Sequence, residues 1–243
     1  MRFDVSVILL TYNQEKFVSQ AINSILFQKF IGSLQIFIFD DCSTDGTPEI
    51  LNSFESLFPN QIKVIYNRKN IGLAKNFEQA IILSRGKYIA YLEGDDYWTD
   101  PNKLQKQFNF LESNSNFVLA FHDFVRIDVE DNIISDKNLF NKSLKRNRSQ
   151  KDMVTGCLIH QNTMMFRNVV RNFPNSFFKV KNHDTFFIGY LSNWGEAGYV
   201  DCTPLHYRIH HNSLWSSLSK KKKHWNGLLT YFYILMTFFP NYF

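Results

Sequence analysis

The sequence has few cysteines and lacks a long apolar run, and both absences narrow the class of protein. Its three cysteines, Cys42, Cys157 and Cys202, are odd in number, widely spaced and without a CxxC pair, which excludes a small disulfide scaffold. Dispersed thiols are typical of a reduced, cytoplasmic protein. The apolar stretch at residues 228–239 is shorter than the roughly 20 residues of a membrane-spanning helix. The first ten residues do not resemble a signal peptide, so we expect a cytoplasmic protein.

Composition places the chain among globular proteins. Hydrophobic residues make up 44% of the 243 residues and charged residues 20%, so the chain can bury a sizeable core and is not disordered. Aromatic residues reach 16%, which predicts large side chains between a sheet and its helices. The length favours a single domain.

Positive charge is concentrated in the second half of the chain. The net charge is +5, but residues 1–136 carry 12 basic and 18 acidic side chains, whereas residues 137–243 carry 15 and 4. Ten basic residues lie in two clusters without acidic residues, six at 137–151 and four at 220–223. A high pI alone would suggest nucleic-acid binding, and the acidic first half argues against it.

Short apolar runs alternate with amphipathic stretches over the first 120 residues, which is the pattern of βαβ units and a largely parallel sheet. Strands are predicted at residues 5–10, 36–39, 62–66, 88–92 and 117–121. Helices are predicted between them, one beginning with Thr47 as N-cap and Pro48 in the first turn. Later predictions are a mobile loop at 133–153, strands at 163–166, 198–200 and 205–209, and helices at 184–191 and at the C-terminus.

Unusual polar clusters follow three of the predicted strands. They are Thr11-Tyr12-Asn13, the run from Asp40 to Gly46, and Glu93-Gly94-Asp95-Asp96. Each alone is a reasonable solvated turn, but the carboxyl ends of parallel strands meet at one edge of a sheet, where ligands bind. Tyr12 could stack on a base and Asp40 could accept hydrogen bonds from a nucleoside. Carboxylates beside an anionic diphosphate require a divalent cation, for which Glu93 and Asp95 are suitable oxygen ligands.

Six segments occur in one order over residues 5 to about 216: VSVILLTYN, FDDCSTDGT, NRKNIGLAKN, YIAYLEGDDYW, HDTFF and YRIHHNSLWS. Together they resemble glycosyltransferase family 2, the inverting transferases with the GT-A fold. The resemblance implies an α/β fold with a Rossmann-like, doubly wound, mostly parallel central sheet and a smaller acceptor-side subregion. It also implies a nucleotide-diphosphate sugar as donor, UDP-linked by expectation, and a divalent metal, Mn or Mg.

The resemblance assigns roles to individual residues. Thr11, Tyr12 and Asp40 match positions that hold the base and ribose, and the expected donor site also includes Asn13, Asp41, Arg68, Lys75, Glu93 and Gly94. Asp95 matches the metal ligand of the DxD-type element, where Glu93 replaces the first Asp, and His210 and Asp96 are further metal candidates. Asp184 matches the acidic residue of the "ED" motif and is the expected general base. Trp98 and His183 are candidates for the acceptor site.

Several positions depart from the family pattern or have a plain structural alternative. His183 replaces the first acid of "ED", Lys75 stands where Arg is frequent, and Cys42 stands where Gly is commonest. Trp98 is equally well explained as a packed aromatic and Arg68 as a solvated loop residue. For His122-Asp123 a structural hydrogen bond is the expectation.

The C-terminal segment combines Lys220 to Lys223 with an apolar, aromatic helix. Two interpretations remain open: attachment to an anionic membrane surface, or packing on the domain or on a second copy. We therefore divide the chain into a transferase domain at residues 1–218 and a basic helix at 219–243. Within the domain, residues 1–121 would bind the donor and residues 122–218 would supply the acceptor site and the base.

The leading functional hypothesis is transfer of a sugar to a hydroxyl of a cell-surface glycan or its lipid-linked precursor, at the cytoplasmic face of the membrane. A sugar-phosphate nucleotidyltransferase is the alternative enzyme, but it requires a Gly-rich basic loop after the first strand, where this chain has Thr-Tyr-Asn-Gln. A nucleic-acid-binding module is the non-enzymatic alternative, and no RNP or zinc pattern supports it. The sequence leaves the sugar, the linkage and the oligomeric state open.

Overall fold

A computed structural model describes residues 3–135, 142–210 and 218–238. The chain forms a central sheet with helices on both faces and a small second sheet at one end, so the expected α/β class is confirmed. The strands are β1 (Val5–Thr11), β2 (Leu34–Asp40), β3 (Ile62–Tyr66), β4 (Tyr88–Glu93), β5 (Phe117–Phe121), β6 (Phe124–Ile127), β7 (Ile133–Ser135), β8 (Met165–Arg167), β9 (Glu196–Tyr199) and β10 (Leu205–Arg208). The helices are α1 (Val18–Leu26), α2 (Thr47–Leu57), α3 (Leu73–Leu83), α4 (Lys103–Ser113), α5 (Gln150–Thr155), α6 (His183–Leu191) and α7 (Lys220–Phe238).

The central sheet has the strand order β3-β2-β1-β4-β8-β5-β9. Strands β3, β2, β1 and β4 are parallel, whereas β8 runs antiparallel between β4 and β5. The carboxyl ends of β1, β2, β4 and β5 therefore lie on one edge, together with the residues just before β8. In register, Thr11 pairs with Asp40, and Leu10 pairs with Glu93, so the polar clusters predicted at the strand ends lie side by side.

Both faces of the sheet are buried, which explains the nearly continuous apolar strands. In β1, Val5, Val7 and Leu9 pack in the cluster that contains α1, whereas Ile8 and Leu10 pack in the opposite cluster. The second cluster is rich in aromatic rings and contains the buried residues of α3 and α6. The high aromatic content thus fills the layer beneath the helices of the second half.

The region predicted as a mobile loop at residues 133–153 contains regular secondary structure over part of its length, so the prediction was wrong for those residues. It contains β7, a short 3-10 helix at Lys142–Leu144 and the start of α5, while residues 136–141 lie outside the described part. Ser149 caps α5 through a capping box with Asp152, a signal that can outweigh the absence of an apolar period. Strands β6, β7 and β10 form the small second sheet. The sequence pattern missed β6.

The start of α2 also differs by one residue from its prediction. Gly46 is the N-cap and Thr47 is the first helical residue. The hydroxyl of Thr47 instead accepts a hydrogen bond from the backbone N–H of Gln14 at 2.9 Å. This bond joins the loop after β1 to the helix after β2.

The C-terminal helix α7 packs along the second half of the domain. Ile234 is fully buried in the aromatic cluster, close to Gly189 of α6. Gly156, which follows α5, has a φ of +114° and lies directly against the phenol ring of Tyr231, so that any side chain there would collide with it. No helix in the described ranges combines the length and the hydropathy that a membrane crossing requires.

Candidate functional site

The loops after β1 and β2 each contain a residue with left-handed backbone, and hydrogen bonds from Asn13 join the two loops. Asn13 has a φ of 53° and Cys42 a φ of 65°. The Asn13 side-chain oxygen accepts from the N–H of Thr44 at 2.7 Å, and its own N–H donates to the hydroxyl of Ser43 at 2.8 Å. Glycine is the usual residue for such a conformation, which accounts for the departure noted at Cys42. The two loops form one rigid unit.

Asp40 lies at the base of this unit. Its carboxylate is buried and accepts hydrogen bonds from both the N–H and the hydroxyl of Ser43. Burial raises the pKa of Asp40, opposed by the Ser43 bonds. Tyr12 is 45% exposed beside it, whereas Thr11 is buried with a hydroxyl oxygen that has no partner among the described residues. These three expected base and ribose residues are therefore adjacent, with an open aromatic ring and an unused polar atom.

Asp41 faces away from them and organises the next loop. Its carboxylate accepts from the backbone N–H groups of Ile71 and Gly72, both at 2.9 Å, and from the amide of Asn67 at 3.0 Å. These bonds hold the loop that leads into α3. The geometry gives Asp41 a positioning role behind the site.

Arg68 and Lys75 lie further out. Both side chains are exposed, and Lys75 lines a shallow groove with Ile71 and Glu78 along the outer face of α3. The structure does not bring either cation against the carboxylates at the end of β4.

Three carboxylates converge at the end of β4. One oxygen each of Glu93, Asp95 and Asp96 lies within 4.8 Å of the others. Gly94 passes so close to Thr11 and Gln14 that a Cβ would collide with the Gln14 side chain. The absence of a side chain at position 94 therefore lets the acidic turn pack against the first loop.

Three polar side chains, which we call the polar platform, donate hydrogen bonds to this cluster: Tyr91, Gln161 and Asn162. Glu93 accepts from Tyr91 at 2.9 Å and from Gln161 at 2.7 Å, and Asn162 donates to both Glu93 and Asp96. Burial, and then the charge of Asp95, raises the pKa of Glu93 to about 7. Burial and its two acidic neighbours raise the pKa of Asp96 well above its ordinary value. The carboxyl groups of this turn thus disfavour one another's charged form.

Arg208, at the end of β10, fixes the other side of the turn. It is 1% exposed; its backbone N–H donates to Asp96 at 2.8 Å and its guanidinium donates to the carbonyl of Asp95 at 3.1 Å. The same guanidinium forms an ion pair with Asp131 at 2.7 Å. His210 follows, and its Nε2 lies 2.9 Å from an oxygen of Asp95. Two of the residues expected to bind the metal therefore lie within hydrogen-bonding distance of each other.

Asp184 lies in the first turn of α6, opposite the cluster. Its charge is among the causes that raise the pKa of Glu93, which places the two carboxylates near each other. Burial also raises the pKa of Asp184 itself. The neighbouring His183 packs its ring 5.3 Å from that of Phe177, and burial lowers its pKa to about 4. His183 is therefore a neutral, mostly packed side chain, and Asp184 is the acidic group presented by α6.

Trp98 belongs to the core, in line with the packed alternative. It is 4% exposed, and its indole N–H donates to the carbonyl of Asn162 at 2.8 Å. The amine of Lys103 lies 3.8 Å from the ring. Trp98 thus supports the platform residue Asn162 and is not part of an open acceptor wall.

The sequence reasoning gave no role to Gln161, Asn162 and Arg208, which surround the carboxylates. Gln161 and Asn162 form a short 3-10 turn just before β8 and reach the cluster because β8 pairs antiparallel with β4. No local motif marks them. Arg208 lies inside the YRIHH segment. A basic residue in that motif was a signal in the sequence for a role beside the acidic turn, which the structure shows it facing.

The sequence of the chain matches a known family over most of its length. Residues 6–173 match the family described as Glycosyl transferase family 2. An uncharacterised protein of Mycobacterium tuberculosis is 30% identical over 222 residues, 91% of this chain and 63% of that protein. TuaG of Bacillus subtilis, a putative teichuronic acid biosynthesis glycosyltransferase, is 33% identical over 155 residues, 63% of this chain and 60% of that protein. The chain thus spans less than two thirds of these relatives.

Solved structures share the fold at low sequence identity. TarS 1-349 of S. aureus in complex with UDP superposes with a TM-score of 0.69 and 17% identity over 96% of this chain and 65% of that one. The mannosyltransferase PcManGT of Pyrobaculum calidifontis, in complex with GDP-Man and Mn2+, superposes with a TM-score of 0.66 and 15% identity over 88% of this chain and 59% of that one. The mixed seven-stranded sheet is therefore the fold of these transferases. Because the family match covers more than half of the sequence, this chain belongs to glycosyl transferase family 2.

Proposed function

We propose that this chain transfers a sugar from a nucleotide-diphosphate sugar, UDP-linked by expectation, to an acceptor hydroxyl with inversion at the anomeric carbon. One observation supports this above the others: the carboxylates of Glu93, Asp95 and Asp96 converge at the end of β4, with His210 on Asp95. A nucleotide diphosphate is recognised there only if its negative charge is balanced. Related folds hold such donors, since TarS 1-349 is in complex with UDP-GlcNAc and PcManGT with GDP-Man.

The residues at the end of β4 fit a divalent cation. Carboxylate oxygens are the ligands that Mg2+ and Mn2+ prefer, and a cation would relieve the repulsion that contributes to the raised pKa of Glu93. Asp95 and His210 would hold it, with Glu93 as a further ligand. Asp96 is buried and accepts bonds from Asn162 and Arg208, so it would support the site from behind. Bound there, the cation would neutralise charge on the diphosphate.

The first two loops would hold the nucleoside. The exposed ring of Tyr12 offers a stacking face for the base. The buried carboxylate of Asp40 and the unpartnered hydroxyl of Thr11 supply hydrogen-bonding groups beside it. Because Asn13 and Ser43 tie the loops together, these groups are held in place before the donor arrives.

Asp184 would act as the general base. Sugar transfer requires the acceptor hydroxyl to lose its proton as its oxygen attacks the anomeric carbon, while the bond to the diphosphate breaks on the opposite face of the sugar. A carboxylate in the first turn of α6, opposite the diphosphate site, is suited to accept that proton. Burial raises its pKa, which makes it a stronger base than an exposed carboxylate.

The acceptor would be a hydroxyl of a cell-surface glycan or of a lipid-linked precursor, reached at the inner face of the membrane. Residues 1–121 would form the donor half and residues 122–218 the acceptor half, which includes α6. The putative teichuronic acid enzyme TuaG is a relative in keeping with a glycan acceptor. The basic second half suits an anionic, lipid-linked substrate.

The variant Asp184→Asn tests the proposal. We expect it to bind Mn2+ and the donor that stabilises the wild-type chain with unchanged affinity, and to lose sugar transfer by about 100-fold or more. The assay would follow product formation from that donor by mass spectrometry, with the anomeric configuration read by NMR. Asp201→Asn, an exposed carboxylate remote from the cluster, is the matched control. Transfer near the wild-type rate in Asp184→Asn, or retention of configuration, would refute the mechanism.

A further inference from the structure

Helix α7 has two apolar faces, and the domain covers only one of them. Thr230 and Ile234 are fully buried against the second half of the domain. Five large side chains point the other way and are exposed: Trp225 by 66%, Leu228 by 53%, Phe232 by 48%, Leu235 by 41% and Met236 by 40%. We call these five residues the α7 stripe. Packing on the domain thus accounts for the buried face of α7. The α7 stripe on the opposite face has no partner among the described residues.

The stripe is continuous along the helix. At 100° per residue, its five side chains fall within an arc of about 100°, on the side opposite Ile234. With a rise of 1.5 Å per residue, residues 225 to 236 extend over about 16 Å. This is a row of one aromatic indole, one phenyl ring and three aliphatic chains, long enough to act as a single surface.

Four lysines precede the stripe. Lys220 to Lys223 form the first turn of α7, which has no acidic residue there. Positive charge at a helix N-terminus opposes the helix dipole and destabilises the helix, so helix stability does not account for this cluster. At 100° per residue, Lys221 lies within the arc of the stripe and Lys222 about 40° outside it, and both are exposed. The surface therefore combines an apolar row with positive charge at one end.

We propose that the α7 stripe and its lysines dock the protein in the interfacial plane of an anionic membrane. The positive charge of α7 favours an anionic lipid surface over a second copy of the chain as the partner of the α7 stripe. The α7 helix of a second copy would bring four more lysines and no carboxylate, since the helix sequence KKKKHWNGLLTYFYILMTF contains no acidic residue. Anionic lipid headgroups complement the lysines, while Trp225 and Phe232 are side chains suited to the boundary between headgroups and acyl chains.

Docking through α7 would orient the catalytic groups. The buried face of α7 packs on α6, and α6 carries Asp184 in its first turn. A lipid-linked acceptor would then meet the base without the enzyme leaving the surface. Only this last step rests on the proposed function; binding to lipid requires neither donor nor cation.

The test is sedimentation of the full chain with vesicles of phosphatidylcholine alone or mixed with phosphatidylglycerol. We expect binding to the anionic vesicles, weakened by salt, and a blue shift of tryptophan emission that Trp225→Ser removes. Lys221→Gln with Lys222→Gln should weaken partitioning by about fivefold for each charge removed. Trp225→Ser with Phe232→Ser should abolish it, and circular dichroism would verify that both variants are folded.

Matched controls lie on the other side of the sheet. Lys16→Gln with Lys29→Gln removes two exposed charges, and Phe27→Ser with Ile31→Ser removes two exposed apolar side chains near α1; neither pair should alter partitioning. Equal binding to both lipid compositions, or no effect of the α7 variants, would overturn the proposal. Self-association in ultracentrifugation that the stripe variants abolish, without vesicle binding, would assign the stripe to a second copy instead. Because no donor is present, loss of sugar transfer cannot be confused with loss of docking.

Discussion

At the scale of single residues, the burial of the Asp184 carboxyl has the most direct consequence for the rate of sugar transfer. Burial raises its pKa above the ordinary carboxyl value of 3.8, and a general base works only when deprotonated. The turnover number should therefore fall as the pH drops through this raised pKa, at a higher pH than for an exposed carboxylate. A pH–rate profile measures this acid limb. Asp184→Glu should shift the limb while leaving donor affinity unchanged, and a flat profile down to pH 4 would contradict the assignment.

Asn162 links two of the three carboxylates, and its removal tests the platform. Asn162→Leu keeps the branching and the number of side-chain heavy atoms but deletes the donors to Glu93 and Asp96. Loss of groups that orient metal ligands typically costs 10- to 100-fold in affinity, so we expect Mn2+ affinity measured by calorimetry to fall by roughly that factor. Asn109→Leu, an exposed amide on α4, should leave it unchanged. Wild-type affinity in Asn162→Leu would show that the platform does not position the cluster.

At the scale of elements, Asp41 holds the loop before α3. Asp41→Asn leaves at most one good acceptor for the backbone N–H groups of Ile71 and Gly72, so we expect the free energy of unfolding to fall by about 1–3 kcal/mol. Hydrogen exchange should accelerate at these two amides and spare β1. Asp201→Asn, an exposed carboxylate, is the control. Unchanged protection at Ile71 and Gly72 would count against this role.

Helix α4 contains a buried cation that weakens the fold. Lys103 is fully buried over Trp98, and burial lowers its pKa to about 7 from 10.5. Between these values the unfolded chain binds a proton that the native chain does not, so this residue makes stability rise with pH above about 7. Lys103→Met should remove that rise and add on the order of 1 kcal/mol at pH 7.

Denaturant unfolding of the wild type and of Lys103→Met between pH 7 and pH 8 measures the effect of Lys103 as a difference, because the other groups with shifted pKa values, Glu93, Cys157 and Cys202, are common to both chains. Lys106→Met, three residues along the same helix, removes the partly exposed partner of the buried Asp100, which lies 2.8 Å away. It should lower the free energy of unfolding by about 1–3 kcal/mol, since Asp100 loses a charged hydrogen-bond donor. If both variants changed stability in the same direction, the explanation by burial would be wrong.

At the scale of the whole molecule, donor and cation should stabilise the domain jointly. The carboxylates of β4 repel a diphosphate unless a cation balances them, so neither ligand alone should raise Tm much. A thermal scan of nucleotide sugars with and without Mn2+ should identify one donor that raises Tm only when Mn2+ is present, since a ligand bound to the native state alone stabilises it. Chelation should reverse the shift. No shift with any donor would argue against the site.

The sequence predicted what depends on order along the chain. Strands β3 and β5 have the bounds expected from their apolar runs, and the acidic turn after β4 followed from the motif. The sequence did not predict the contacts between segments that are far apart along the chain. Gln161 and Asn162 reach the cluster only through the antiparallel β8, and Arg208 only because β10 lies beside the turn, where Tyr97 bridges to His206. Nothing local in a sequence encodes such registers. For α7 the packing interpretation is confirmed for the face that carries Ile234, and attachment to a membrane stays a proposal for the other face.

Gly156 gives the molecule a signature that sequence comparison can follow. The phenol ring of Tyr231 occupies the space where a side chain at 156 would lie. In a relative with any other residue at this position, the aromatic side chain or the helix that carries it has to shift. The pairing of a glycine after α5 with an aromatic residue about 75 positions later therefore marks, in an alignment, those family members in which a helix packs against the end of α5 as α7 does.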